Sequence, residues 1–202
     1  MRLIIASNNA HKIAEMEAIL ASINVTLPVV PLRELGNDIP DIVEDGTTFE
    51  ENATKKVETI AQIAPNDYIL ADDSGLSINA LHGEPGVYSA RYAGDHDDQA
   101  NIAKVLNKLS GMPVAQRTAH FNSVIVLRDP KGRKLVVDGQ VNGYITDAER
   151  GHGGFGYDPI FFVPELDKTF SEMSPDEKNN ISHRGLALKK LGEQLPEWLK
   201  GE

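Results

Sequence analysis

Two adjacent carboxylates, Asp72 and Asp73, close the apolar run YILA and open DSGL. Oxygen anions of this kind ligate hard cations, or orient and deprotonate water. Neighbouring side chains on an extended chain point to opposite sides, so both acids could serve one pocket only if a strand ends there, and ligands bind at the carboxyl ends of strands in open α/β sheets. A solvated turn capped by Asp and Ser fits the same residues. Glu44, in VEDG, precedes an apolar-periodic segment. It offers a second oxygen ligand, or simply faces solvent near a helix N-terminus. Lys56 stands one turn from Ala53 and Ile60, from where it could reach a cleft or snorkel to the surface.

Further candidates carry positive charge or flat rings. SNNAHK, residues 7–12, follows the short run LIIA without the glycines of a phosphate-binding P-loop. Its hydroxyl, two amides and Lys12 could bind an anion, and equally the stretch could only cap a helix. GHGGFGYD joins flexible backbone to Phe155 and Tyr157. Such rings can stack a base, or they can be core aromatics in a turn. His152 could be a metal ligand, although a lone His among glycines is more often a polar loop residue. Lys178, His183 and Arg184 lie within two turns of one predicted helix, where an Arg could fork onto phosphate or a base carbonyl, or the cations could complement the helix dipole. The chain has no cysteine and no GxSxG elbow, which removes thiolate chemistry and disfavours a serine nucleophile.

These residues need elements to hold them. Ile13, Met16, Leu20 and Ile23 predict a helix directly after the LIIA strand. Thr48 with Glu51 has capping-box spacing, and Phe49, Ala53, Val57, Ile60 and Ala64 mark the face of the helix that follows. YILAD reads as a buried strand running into DSG. Residues 83–98 are turn-rich, and a helix is expected from Gln99 to Leu109. AHFNSVIVL and RKLVVDGQVNGYI, joined by RDPKG, predict an antiparallel hairpin. A last helix is expected from Ser174 or Pro175 to about Leu195, carrying ISHRG in its middle. This alternation argues for an α/β fold, and without repeats or a linker residues 1–202 read as one domain.

Net charge is −10, with 20 scattered basic residues. No basic stripe suits a nucleic-acid polymer, whereas a few cations in one cleft can hold a small polyanion. No apolar run has membrane-spanning length and no signal peptide is evident, so no membrane role and a cytoplasmic location are expected.

The motifs S-x-N-x-x-K, E-x-G-x-T-F, ADDSGL, PGVYSARYAG, GGFGYDPIF and ISHRG, in this order from residue 3 to about residue 191, resemble the inosine triphosphate pyrophosphatase family. One departure is that the family's TGN opening is SNN, with Asn8 in the glycine's place. The resemblance implies an elongated mixed β-sheet flanked by helices, two lobes about a central cleft, and commonly a homodimer. It implies Mg²⁺-assisted hydrolysis of ITP, dITP and XTP to the monophosphate and pyrophosphate. Ser7, Asn8, Asn9, Ala10, His11 and Lys12 would form the triphosphate turn. Ser74 matches a substrate-contacting position, and Lys56 is expected to bind substrate as well. Phe155, Gly156, Tyr157, Asp158, Lys178, His183 and Arg184 would read the base. Glu44 and Asp73 would hold the ion, with Asp72 a further possible ligand, and Asp73 would be the catalytic base. Alternatives are a Maf-like pyrophosphatase of other base preference and a non-catalytic nucleotide sensor.

Overall fold

The computed structural model describes residues 1–23, 27–36, 39–40, 42–94 and 97–201. Asn37, Asp38 and Asp41 of the polar stretch before Glu44, and Asp95 and His96 of GDHDD, lie outside them. Strand β1 (Leu3–Ile5) passes through Ser7–Asn9 into helix α1 (Ala10–Ser22). The helix begins there because the extended Asn9 accepts from the backbone N–H groups of His11 and Lys12 at 3.0 and 3.1 Å, which satisfies two donors of the first turn. Strand β2 (Val29–Pro31) follows, then helix α2 (Phe49–Ile63). Thr48 caps α2 by accepting from Glu51 N at 3.1 Å. The return bond of the expected capping box is displaced by one residue, because the Glu51 carboxylate takes Thr47 N and Oγ1 at 2.7 and 2.9 Å.

Strand β3 (Tyr68–Ile78) runs straight through the acid pair instead of ending at it. The condition under which both acids would share a pocket is therefore not met. Helix α3 (Asp98–Lys108) lies within a residue of its predicted span. Strands β4 (Thr118–Arg128) and β5 (Lys134–Ile145) are joined by the predicted turn, closed by Asp129 N donating to Arg133 O at 3.0 Å. Short strands β6 (Phe161–Val163) and β7 (Lys168–Thr169) complete a mixed sheet of order β2-β1-β3-β4-β5-β6-β7. β1 is parallel to β2 and β3, while β6 is antiparallel to β5 and β7.

The single terminal helix expected from the sequence is two. Helix α4 (Pro175–Ile181) stops at Ser182, which is extended at ψ 157°, and helix α5 (His183–Lys200) continues past Pro196. Packing of the buried Ser182, His183 and Arg184 overrides helix propensity at this point. Beyond Pro196, Trp198 and Leu199 still pack on apolar side chains, and Arg133 lies 4.7 Å from the Trp198 ring centre.

The chain forms two compact units, residues 1–73, 123–139 and 184–202, and residues 74–122 and 140–183. The first has a layer on each face of its strands. Leu3, Ile5, Leu70, Ile125 and Leu127 meet α1 and α5, whereas Ile4, Ala6, Ile69, Ala71 and Val126 meet α2. The second has its own core around Leu76, Ile102, Phe121, Phe161 and Phe170.

Candidate active site

The alternation of β3 decides what each acid does. Leu70 faces α1 and α5, and Asp72 follows it on that side; Ala71 faces α2, and Asp73 follows there. Asp72 is almost completely buried, accepts from Ser123 Oγ, and pairs through Oδ2 with Lys12 Nζ at 2.7 Å and Arg184 Nη2 at 3.2 Å. Arg184 also pairs with Glu15 of α1. Burial alone would raise the Asp72 pKa, but Arg184 and Lys12 outweigh it and hold the carboxyl well below its ordinary value. Burial, aided by repulsion from Lys56 and Arg184, pulls Lys12 below the usual lysine value against the attraction of Asp72.

On the other face, both oxygens of Asp73 are held from α2. Lys56 Nζ lies 3.1 Å from Oδ1, and Asn52 Nδ2 donates to Oδ2 at 3.0 Å. The same Lys56 ammonium is 3.1 Å from Glu44 Oε1 and donates to the Asp72 carbonyl at 3.0 Å. Two carboxylates thus converge on one buried cation. Burial, with Glu44 adding repulsion, pushes the Asp73 carboxyl above its ordinary value against the pull of Lys56 and Lys12. Lys56 itself is held above the usual lysine value, since Asp73, Glu44 and Asp72 together overcome its burial. Lys56 is therefore no snorkelling surface residue.

At the start of α1, Ser7 Oγ accepts from Asn9 N at 3.2 Å. Among the described residues, the non-glycine positions with positive φ are His82 and Asp167. Asn8 therefore needs no left-handed backbone, and replacing the family's glycine there imposes no conformational strain.

In the second unit, Lys178 of α4 and Asp158 form a buried pair at 2.6 Å, and Asp158 Oδ2 also accepts from Phe155 N at 2.9 Å. Lys178 Nζ lies 4.8 Å from the half-buried Phe155 ring centre. Gly154 makes this loop possible: its φ is +75°, and a Cβ there would sit 2.1 Å from Asp158 Oδ2. Gly156 N donates to Asp98 Oδ2 at 2.7 Å. Tyr157 is a core residue whose hydroxyl donates to Ser89 O at 2.9 Å, and burial raises its pKa. The His183 ring stacks on Phe121 at 4.7 Å. Ser74 is half-buried, and His152 is exposed in its glycine-rich loop.

A family model described as Ham1 family matches residues 3–194. The chain belongs to the Ham1 family. It is similar over its full length, 75% identical across 202 residues and the whole of both chains, to a dITP/XTP pyrophosphatase of Leuconostoc mesenteroides. A dITP/XTP pyrophosphatase of Bacillus subtilis is 51% identical, with 95% of this chain and 96% of that one covered. Among solved structures, a HAM1 protein from Coxiella burnetii is 42% identical with a TM-score of 0.86, covering 98% of this chain and 99% of that chain. The Staphylococcus aureus Ham1 protein is 45% identical with a TM-score of 0.84 and the same coverage. These Ham1 relatives bear out the family and the mixed α/β sheet expected from the motifs.

The first unit of this Ham1 chain gathers Lys12, Glu44, Lys56, Asp72, Asp73 and Arg184; the second gathers Phe155, Asp158 and Lys178. Sequence reasoning passed over Glu15, Asn52 and Ser123. A signal for Asn52 was available, since it stands one turn before Lys56 beside the apolar face of α2.

Proposed function

We propose that this protein hydrolyses non-standard purine nucleoside triphosphates, dITP, XTP and ITP, to the monophosphate and pyrophosphate. The observation that carries the chemistry is the convergence of Glu44 and Asp73 on one cation, with the Asp73 pKa raised toward that of a useful base. The substrate class comes from the full-length relatives named dITP/XTP pyrophosphatase. Attack at phosphorus demands positioning and charge neutralisation rather than a covalent intermediate. Asp73 orients the attacking water and takes its proton. Lys12, backed by Asp72, and the Ser7–Lys12 turn hold phosphate oxygens, and Lys56 adds charge on the α2 side.

The pair Glu44 and Asp73 fits a hard divalent cation, because both are oxygen donors whose oxygens already meet at one positive charge. Among the described residues no group of three or more Asp, Glu, His or Cys side chains gathers as a metal cage. Two carboxylates are an ordinary protein share for Mg²⁺, which takes its remaining ligands from water and phosphate. When bound, the ion supplies charge neutralisation at the phosphates. Asp72 would join it only by giving up one of its own cations.

For the base, a donor such as Lys178, held by Asp158 beside Phe155, suits a 6-oxo group. Adenine presents an amino group there, so two donors would face each other. Arg184, His183 and Ser74 complete the proposed contacts. No helix among the described residues is long and apolar enough to cross a membrane; a homodimer acting in the cytoplasm completes the proposal. The test is a product assay with Mg²⁺ over dITP, XTP, ITP, dATP and dGTP. Pyrophosphate released preferentially from the first three supports the reading. Equal turnover of dATP, or tight binding without pyrophosphate, would replace it with a pyrophosphatase of another base preference or with a sensor.

A further inference from the structure

Asn52 has no exposed surface. Its amide is used at both ends: Oδ1 accepts from Gly46 N at 2.8 Å and Nδ2 donates to Asp73 Oδ2 at 3.0 Å. The orientation follows from the partners, since a backbone N–H can only donate and an ionised carboxylate can only accept. One side chain of α2 therefore ties together the loop that carries Glu44, two residues before Gly46, and the strand that carries Asp73. Gly46 is shaped for this contact, because a Cβ on it would lie 2.6 Å from Asn52 Oδ1. The neighbouring tie between loop and helix, Lys55 with Asp45, is exposed and does not touch Asp73.

With Nδ2 on Oδ2, the other oxygen of Asp73 is left to Lys56, and through Lys56 to the side on which Glu44 Oε1 lies. Without Asn52, Asp73 would keep Lys56 on one oxygen but lose its partner on the other, and the Glu44 loop would lose the buried side-chain anchor of its backbone at Gly46. We infer that Asn52 is a positioning residue: it sets the spacing and orientation of the Glu44 and Asp73 carboxylates and so governs how tightly a divalent cation is held. Neither aspartate nor an apolar residue can replace it. Aspartate would set an acceptor against Asp73, and leucine would leave a buried N–H and a buried carboxylate oxygen without partners. This inference rests on the proposed pyrophosphatase reading and deepens it.

The experiment compares wild type with Asn52→Ala, with Gly46→Ala, whose added methyl pushes on the same amide from the loop side, and with Lys55→Ala as control. Mn²⁺ affinity is measured by electron paramagnetic resonance with a dITP analogue carrying NH in place of the α,β-bridging oxygen. The Mg²⁺ concentration for half-maximal pyrophosphate release, the KM for dITP at saturating Mg²⁺ and the circular dichroism spectrum are recorded alongside. Outer partners of metal ligands typically contribute about ten- to a hundredfold in metal affinity. Asn52→Ala and Gly46→Ala should weaken Mn²⁺ by roughly that factor and raise the Mg²⁺ midpoint in step, with a native spectrum and a KM within about threefold. Lys55→Ala should match wild type. If wild type turns over dITP with Mg²⁺ and both folded variants keep wild-type metal dependence, this inference alone fails. If both variants unfold, Asn52 is structural and the inference is likewise overturned. A wild type that needs no divalent ion removes the metal reading and this inference together.

Discussion

Asp72 and Asp73 stand side by side in the sequence and do opposite things, because a strand that continues through them sends one to each face. In the proposed reaction Asp73 is the base. Asp73→Asn keeps the size and can still accept from Asn52 or Lys56, but it cannot take a proton from water. Turnover of dITP should fall by about 10²- to 10⁴-fold with a native circular dichroism spectrum; a folded variant within a few-fold of wild type would assign the base elsewhere. Asp72 carries stability. Its pKa is depressed in the folded chain by Arg184 and Lys12 acting against burial, so its contribution is present above the unfolded carboxylate value near about 3.9 and is lost as pH falls through the lower folded value. Asp72→Asn leaves the buried Arg184 and the half-buried Lys12 short of a partner and should lower stability by about 3–5 kcal/mol at neutral pH. Urea titrations should show the gap between wild type and variant narrowing below about pH 4; a gap independent of pH would mean the pairing contributes nothing.

At the scale of elements, the helices that hold the site were largely legible. The apolar spacing after LIIA, the Thr48 cap and the RDPKG turn each carry local chemistry that tertiary packing leaves intact. What escaped was set by distant partners. The continuation of β3 past DSG depends on strands far along the chain, and the break at Ser182 depends on where His183 and Arg184 are buried. In SNNAHK the cap and the candidate anion turn are the same residues: Asn9 performs the first role, while Ser7, which accepts from Asn9 N, and Lys12, which pairs with Asp72, belong to the proposed second. Lys56 was ambiguous for the same reason, since helical spacing places it at the edge of a face without saying whether acids wait there. Because α2 supplies Asn52 and Lys56 and is entered through the Glu44 loop, its first turn should matter beyond its size. Thr48→Ala removes the bond to Glu51 N and should cost about 1 kcal/mol, a drop of roughly 2–4 °C in Tm for a chain of this length. Calorimetry showing no change would mean that Thr47 and Glu51 hold the helix start without it.

On the scale of the whole molecule, a chain of net charge −10 is a poor long-range attractor for a triphosphate. Screening confines that field to about 8 Å at physiological ionic strength, so the nearby cations Lys12 and Lys56 dominate once a phosphate arrives. They are not idle beforehand, however: Lys12 is paired with Asp72 and Lys56 with Glu44 and Asp73. A bare triphosphate must compete with these carboxylates, whereas a divalent ion would satisfy Glu44 and Asp73 and release Lys56 toward phosphate. Ion and nucleotide should therefore bind with positive coupling, each favouring the other. A ligand that binds only the folded chain at about 100 times its Kd adds about 2.7 kcal/mol of stability, which here corresponds to roughly 5–10 °C in Tm. The α,β-imido dITP analogue with Mg²⁺ should give a shift of that size in scanning calorimetry. The analogue with chelator, and Mg²⁺ alone, should each give much less, and their shifts should sum to less than the shift of the pair. Equal shifts with and without chelator would show that Lys12 and Lys56 already meet the phosphates unaided, and the charge argument built on Glu44 and Asp73 would fall with that result.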